Sequence, residues 1–203
     1  MTLEHDATPT IRLGDLAPNF KAETTQGAID FHSWKEDSWA VLCSHPADFT
    51  PVCTTELGAI AKLKEEWAKR SVKVAAVSCN ELSSHEKWVL DIEETQGAKV
   101  EFPIIADAKR EIAQLYGMLD KQDLTNIDQK GLPMTVRSVF IIDPKNVIRL
   151  IITYPAAIGR NFDEIFRVLD GLFLVDEHKV ATPCNWKKGD VCALHFLFIS
   201  RMS

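Results

Sequence analysis

The chain has 203 residues, 46% of them hydrophobic, enough for one well-buried core and a tight fit for two full domains. Its net charge of −6 argues against an electrostatic nucleic-acid binder, which needs a basic face to displace counterions from phosphates. Residues 1–10 carry acids and polar groups where an export signal needs a basic start, and the apolar stretch Val191–Ser200 is far shorter than the roughly 20 residues of a membrane-spanning helix. A cytoplasmic chain with no transmembrane segment is expected.

In chain order, Trp39–Ser44 is a short apolar run fit for a buried strand, and a helical pattern follows from Val52 to about Lys69. Val72–Ser78, rich in Val and Ala, reads as the next strand. A helix from Ser84 to about Thr95, a strand around Phe102–Ala106 and a helix over Lys109–Tyr116 come next, with Gly117 placed to end the last. Gln122–Gly131 is polar enough for an exposed loop. Val136–Ile142 and Val147–Thr153 are strands separated by Asp143-Pro144-Lys145-Asn146, which has hairpin-turn chemistry. An amphipathic helix from about Asn161 to Val175 closes the pattern.

Crossover helices bring strands in parallel, and a late hairpin adds antiparallel ones, so this order predicts an α/β fold with a central mixed sheet flanked by helices. A thioredoxin-like architecture fits it. The expected division is one domain over residues 11–175 and a short C-terminal arm over 176–203.

The five cysteines, Cys43, Cys53, Cys79, Cys184 and Cys192, are an odd, widely spaced set without the C-x-x-C spacing of a zinc site or dithiol oxidoreductase. Reduced thiols are expected, with no metal, and Cys43 and Cys79 read as core residues of apolar strands. Cys53 stands apart. Thr50 is a good helix N-cap and Pro51 suits the first helical position, so Cys53 falls in the first turn, where unpaired N–H groups and the helix dipole favour an anion. It shares a helical face with Leu57, Ile60 and Trp67, which recesses the sulfur toward the core.

Pro46-x-x-x-Thr50-x-x-Cys53 is the P-x-x-x-T-x-x-C motif of peroxiredoxins, and Ser44-His45-Pro46 through Glu56-Leu57-Gly58 resembles the one-cysteine, peroxiredoxin-6-like branch. Phe102-Pro103-Ile104-Ile105-Ala106-Asp107, Tyr154-Pro155-Ala156, Gly159-Arg160-Asn161-Phe162-Asp163-Glu164 and Ala181-Thr182-Pro183 also look like that branch, from about Leu13 to Asp190. The resemblance implies that Cys53 is the peroxidatic nucleophile acting on hydrogen peroxide and organic hydroperoxides, lipid ones included. It implies that the Thr50 hydroxyl contacts thiolate and peroxide, that Pro46 shields the pocket from water, and that Arg137 is the active-site arginine. His45 supports them, and Glu56 orients Arg137. Aligning the peroxide and stabilising the departing oxygen should supply most of the acceleration.

Attack turns Cys53 into a sulfenic acid that another thiol must reduce. Two-cysteine relatives place a resolving cysteine just before the position of Pro183, where this chain has Thr182. The resemblance therefore implies an external reductant, glutathione or another thiol, with Cys184 and Cys192 as the internal alternatives. It also implies a homodimer, no bound cofactor, and a place in antioxidant defence and redox homeostasis. A slowly turning redox sensor or chaperone-like protein of the same fold is the alternative from another class.

The same branch carries a phospholipase A2 site, for which the matching residues are His32 and Ser38. Both glycines around the serine are changed, giving Glu36-Asp37-Ser38-Trp39-Ala40, and the aspartate position is Lys145, with Asp143 two residues away. A serine nucleophile needs an oriented histidine, so loss of that carboxylate weakens a lipase reading. The His32-x-x-x-x-Asp37 pair, similar to the branch's acyltransferase motif, is intact. After Asp190 the tail resembles the family poorly, as a truncated or alternatively spliced product would.

Overall fold

In the computed structural model, which describes residues 11–194, the longer apolar runs of the sequence become the strands of one sheet. Two compact units divide the chain after Arg160. The first begins with a small hairpin, β1 (Lys21–Ala22) and β2 (Ile29–Asp30), followed by α1 (Phe31–Lys35), β3 (Trp39–Ser44), α2 (Pro51–Lys62) and α3 (Lys64–Lys69). It continues with β4 (Val72–Ser78), α4 (Leu82–Gln96), β5 (Ile104–Ala106), α5 (Glu111–Leu115), β6 (Arg137–Ile142) and β7 (Ile148–Tyr154). The second unit holds α6 (Phe162–His178), β8 (Val180–Ala181) and β9 (Ala193–Leu194).

The main sheet has the order β5-β4-β3-β6-β7. The connections through α2–α3 and α4 make β3, β4 and β5 parallel, whereas the turn after Ile142 folds β7 back antiparallel on β6, which itself runs antiparallel to β3. This is the mixed, helix-flanked sheet of a thioredoxin-like fold. Position in the sheet matches composition: β6 is buried along its whole length, while β7, at the edge, is mostly half-buried. Phe31, Leu42, Val77, Ile105, Phe140 and Ile142 share one core, which Tyr116 joins edge-on to Phe20 and Phe140 while its hydroxyl donates to the Pro18 carbonyl at 2.6 Å.

Two joints show how single residues set the backbone. The helix expected from 52 to 69 is two helices that meet at Leu63, because the buried Trp67 indole donates to the Ile60 carbonyl at 3.1 Å and enters the ladder there. In the β6–β7 turn, Asp143 Oδ1 accepts from the amides of Lys145 and Val147 at 2.8 and 2.9 Å, and Asn146 adopts a positive φ of 64°. The buried Lys35 ammonium ties this turn to α1 by donating to the carbonyls of Glu36, Ser38, Asp143 and Pro144 at 3.0–3.2 Å. Burial pushes that amine below its usual range, opposed by Asp143 and Asp37.

In the second unit, Asn161 caps α6 by accepting from the amides of Asp163 and Glu164, and Lys179 ends it in the left-handed region at φ 51°. Trp186 is buried and lies against Gly171, where a Cβ would meet its ring at 3.8 Å. Among the described residues no helix is long and apolar enough to cross a membrane. The short β1, β2, α1, β8 and β9 are additions to the expected elements. The apolar tail beyond residue 194 lies outside the described residues.

Candidate active site

β3 ends at Ser44, and the loop of residues 45–50 delivers the chain to α2 through Phe49 at φ 56°. Pro51 takes the first helical position, its missing N–H being one the helix would leave unpaired anyway. Thr50 stands at the N-cap position but does not cap. Its hydroxyl donates backward to the Ala47 carbonyl at 2.9 Å, and its own carbonyl receives both the amide and the hydroxyl of Thr54. Thr50 is thus half-buried with its oxygen still able to accept. Pro46 is buried, and so is Cys53, which is fully withdrawn from solvent in the first turn of α2.

Arg137, the first residue of β6, donates from Nη1 to Cys53 Sγ at 3.3 Å and to Glu56 Oε2 at 2.6 Å. Its Nε donates to the Ala156 carbonyl at 2.8 Å, which fixes the guanidinium plane from the far side. Glu56, one turn beyond Cys53, is shared with a second arginine. Arg160 reaches Oε1 with its backbone amide at 2.7 Å and with Nε at 3.2 Å, and reaches Oε2 with Nη2 at 2.7 Å. Its Nη1 donates to the Ser44 carbonyl at 2.7 Å, which joins the cluster to the end of β3.

Charge accounting explains what this arrangement favours. Two guanidiniums and one carboxylate, all less than a tenth exposed, leave one positive charge unbalanced in a dry site. A sulfur anion at Cys53 balances it, and the Arg137 N–H points at that atom. At the other buried thiols desolvation outweighs the arginine nearby, Arg160 for Cys43 and Arg110 for Cys79. Burial pushes Cys43 up to about 11 and Cys79 up to about 12. Cys184 is exposed and Cys192 half-buried.

The structure brings Cys53, Glu56 and Arg137 into contact, with Thr50 in the adjoining turn. His45 is buried in the same loop, its Nε2 at 3.1 Å from Asp48. Arg160, Asp48 and His85 were not picked out as site residues from the sequence. Arg160 lay within one of the segments that resemble the peroxiredoxin branch, which is the signal that could have found it.

The lipid residues are not assembled. His32 Nε2 donates to the Ala17 carbonyl at 2.8 Å, and among the described residues no hydrogen bond joins His32 to Ser38 or Asp37. The Asp143 carboxylate is occupied by turn amides and by Arg149.

Comparison with known proteins shows the family. Residues 13–151 match the model of the AhpC/TSA family, and residues 171–191 match that of the C-terminal domain of 1-Cys peroxiredoxin. The chain is 54% identical over 183 residues to a mitochondrial peroxiredoxin of Saccharomyces cerevisiae, covering 90% of this chain and 70% of the relative. It is 53% identical over 182 residues to human peroxiredoxin-6, covering 88% and 80%. Among solved structures, a mutant of peroxiredoxin 6 from Arenicola marina superposes with a TM-score of 0.87 at 46% identity, covering 91% of this chain and 83% of that one. A yeast mitochondrial 1-Cys peroxiredoxin, described with a thiol resolving mechanism via glutathione and thioredoxin systems, gives 0.84 at 52% identity, covering 91% and 87%. With the thioredoxin-like sheet, a buried cysteine at a helix start and an arginine held against its sulfur, the chain belongs to the AhpC/TSA peroxiredoxins, the thiol peroxidases, in their 1-Cys branch.

Proposed function

We propose that this thiol peroxidase works through Cys53. The thiolate sulfur attacks one oxygen of a hydroperoxide as the O–O bond breaks. The sulfur is oxidised to a sulfenic acid, and the departing oxygen takes a proton and leaves as water or an alcohol. Arg137 steadies the thiolate and the charge that develops on the departing oxygen, and the half-buried Thr50 hydroxyl accepts from the peroxide O–H. Pro46 closes the pocket wall against water, while Glu56 and Arg160 hold the Arg137 guanidinium in place. The contact of 3.3 Å between Arg137 Nη1 and Cys53 Sγ carries this reading.

The substrates are hydrogen peroxide and organic hydroperoxides, lipid hydroperoxides among them. The reductant is an external thiol, glutathione or another, which is supported by the description of the related yeast structure with glutathione and thioredoxin systems. A homodimer, a cytoplasmic location and the division into residues 11–175 and 176–203 belong to the same proposal. Nothing in the contacts of His32, Ser38 and Asp37 favours lipid hydrolysis or acyl transfer, and no observation favours a redox sensor or chaperone over a turning-over peroxidase.

The test is stopped-flow oxidation of the reduced chain by hydrogen peroxide, followed by tryptophan fluorescence, beside Cys53→Ser and Arg137→Ala. A fast second-order phase, absent in Cys53→Ser and slowed at least a hundredfold in Arg137→Ala, is the expected result. Oxidation no faster than that of a free thiol overturns the proposal.

A further inference from the structure

The first unit holds a second buried cluster of titratable groups beside the one around Cys53. His45, Asp48 and His85 are all less than a tenth exposed, and each places a nitrogen or oxygen within 4.8 Å of the others. Asp48 Oδ1 lies 3.1 Å from His45 Nε2, and Asp48 Oδ2 lies 2.8 Å from His85 Nδ1 and receives the Ser84 hydroxyl at 2.7 Å. The second nitrogen of His85 faces the Ile105 carbonyl at 3.2 Å. The second nitrogen of His45, Nδ1, is buried and has no hydrogen-bond partner among the described residues.

These contacts assign the protons. Against the desolvation of Asp48, the hydrogen bonds it accepts from His45 and His85 hold its carboxyl well below the usual range, so it is an acceptor only. Every imidazole nitrogen that faces it therefore carries hydrogen. His85 faces an acceptor on each side, the Asp48 carboxylate at Nδ1 and the Ile105 carbonyl at Nε2, so the geometry places both nitrogens to donate. His45 donates from Nε2 alone. Burial outweighs the pull of Asp48 and, with His85 and Arg160 nearby, holds His45 below its usual range, which leaves Nδ1 as a bare lone pair. A metal ion fits the spacing less well. Ligands on a tetrahedral zinc sit about 3.3 Å apart, whereas the nitrogens here approach two different carboxylate oxygens at hydrogen-bond distance.

The cluster is tied to the cysteine. The His45 ring packs on Trp88 with centroids 5.0 Å apart, and the Trp88 indole donates to the hydroxyl of Thr54, the residue after Cys53. Ser44, the residue before His45, gives its carbonyl to Arg160. Leaving a buried acceptor unpaired is unfavourable, so Nδ1 is kept bare against a preference that an incoming O–H donor would satisfy.

We propose that Asp48 and His85 are positioning residues of the peroxidase: together they fix His45 as its Nε2–H tautomer and so hold the Nδ1 lone pair ready for the second O–H of hydrogen peroxide, the one Thr50 does not take. They touch neither sulfur nor peroxide, and no bond to them forms or breaks. This role rests on the assignment of Cys53 made above.

The experiment pairs nitrogen NMR of the reduced, 15N-histidine-labelled chain with stopped-flow oxidation by hydrogen peroxide. The wild type is expected to show His45 protonated on Nε2 only and His85 protonated on both nitrogens. Asp48→Asn is expected to scramble the His45 tautomer and slow oxidation at least tenfold. His85→Leu repeats the loss, and His85→Gln, which keeps an N–H toward Asp48, recovers most of it. If Asp48→Asn does not fold, the two His85 variants and the wild-type spectrum decide the question. A wild-type His45 protonated on Nδ1, stoichiometric bound zinc, or a scrambled tautomer with oxidation within twofold of wild type each overturns the proposal. Fast wild-type oxidation that Asp48→Asn leaves unslowed removes only the role of Asp48 and His85, whereas a wild type without a fast phase removes the Cys53 assignment and this role with it.

Discussion

Arg160 grips both carboxylate oxygens of Glu56, Oε1 with its backbone amide at 2.7 Å and Nε at 3.2 Å, and Oε2 with Nη2 at 2.7 Å. Glu56 also takes Arg137 at 2.6 Å, so the group that faces the Cys53 sulfur is aimed by a residue that does not touch it. Replacing Arg160 with Met should therefore act on stability and on chemistry together. Removing one member of a buried charged cluster costs about 3–5 kcal/mol, which a lowered urea midpoint would report. Oxidation by hydrogen peroxide should slow at least tenfold as Arg137 loses its fixed partner, and an unchanged midpoint with an unchanged rate would show that Arg160 is not part of this machinery.

The three buried thiols should separate cleanly. Cys43 at about 11 and Cys79 at about 12 expose almost no thiolate near neutral pH, roughly one molecule in a thousand or fewer. One equivalent of hydrogen peroxide followed by dimedone should label Cys53 and leave those two as thiols by peptide mass spectrometry. Labelling of Cys43 or Cys79 ahead of Cys53 would contradict the electrostatics described.

Asp48 gives a pH signature. Its carboxyl is held below the usual range in the folded chain, so its contribution to stability is fully present above the unfolded value of about 3.9 and is lost as pH falls through the folded one. Asp48→Asn should be less stable than wild type at pH 7 by a few kcal/mol, and the gap should narrow as the pH is lowered below about 4. A gap independent of pH, measured by denaturant unfolding across that range, would mean that the carboxylate is not ionised in the fold.

Trp67→Phe tests the joint between α2 and α3. It removes the N–H that occupies the Ile60 carbonyl while keeping an aromatic ring in the core, and should cost about 1–3 kcal/mol. Oxidation should stay within twofold of wild type, because the break at Leu63 lies beyond the turn that holds Cys53.

The central strands were legible because β3 is apolar up to Ser44 and β6 apolar from Val139 on, and their alternation with helical patterns could mean little else than a mixed sheet. The helix break at Leu63 was not, since the apolar spacing from Ile60 to Trp67 runs straight through it and the cause is one indole N–H. The residue type of Thr50 predicts a cap, and its position is right, but its hydroxyl turns the other way, to Ala47. In the site, Pro46, Thr50 and Cys53 lie in one motif and were visible as such. Arg137 came into view through family resemblance, being 84 residues from the sulfur it contacts. Arg160 lies 104 residues from Glu56, and His85 lies 37 from Asp48; pairings over such distances leave no local pattern to read.

Lys35 shows what a fold can do with a single amine. Four carbonyl oxygens around one nitrogen at 3.0–3.2 Å make a coordination sphere of the kind other proteins offer to an alkali ion. Here the cation is covalently part of the chain. The fastening of α1 to the β6–β7 turn is therefore indifferent to chelators and to which salt is present, and the chemistry that would undo it is acylation of that one nitrogen.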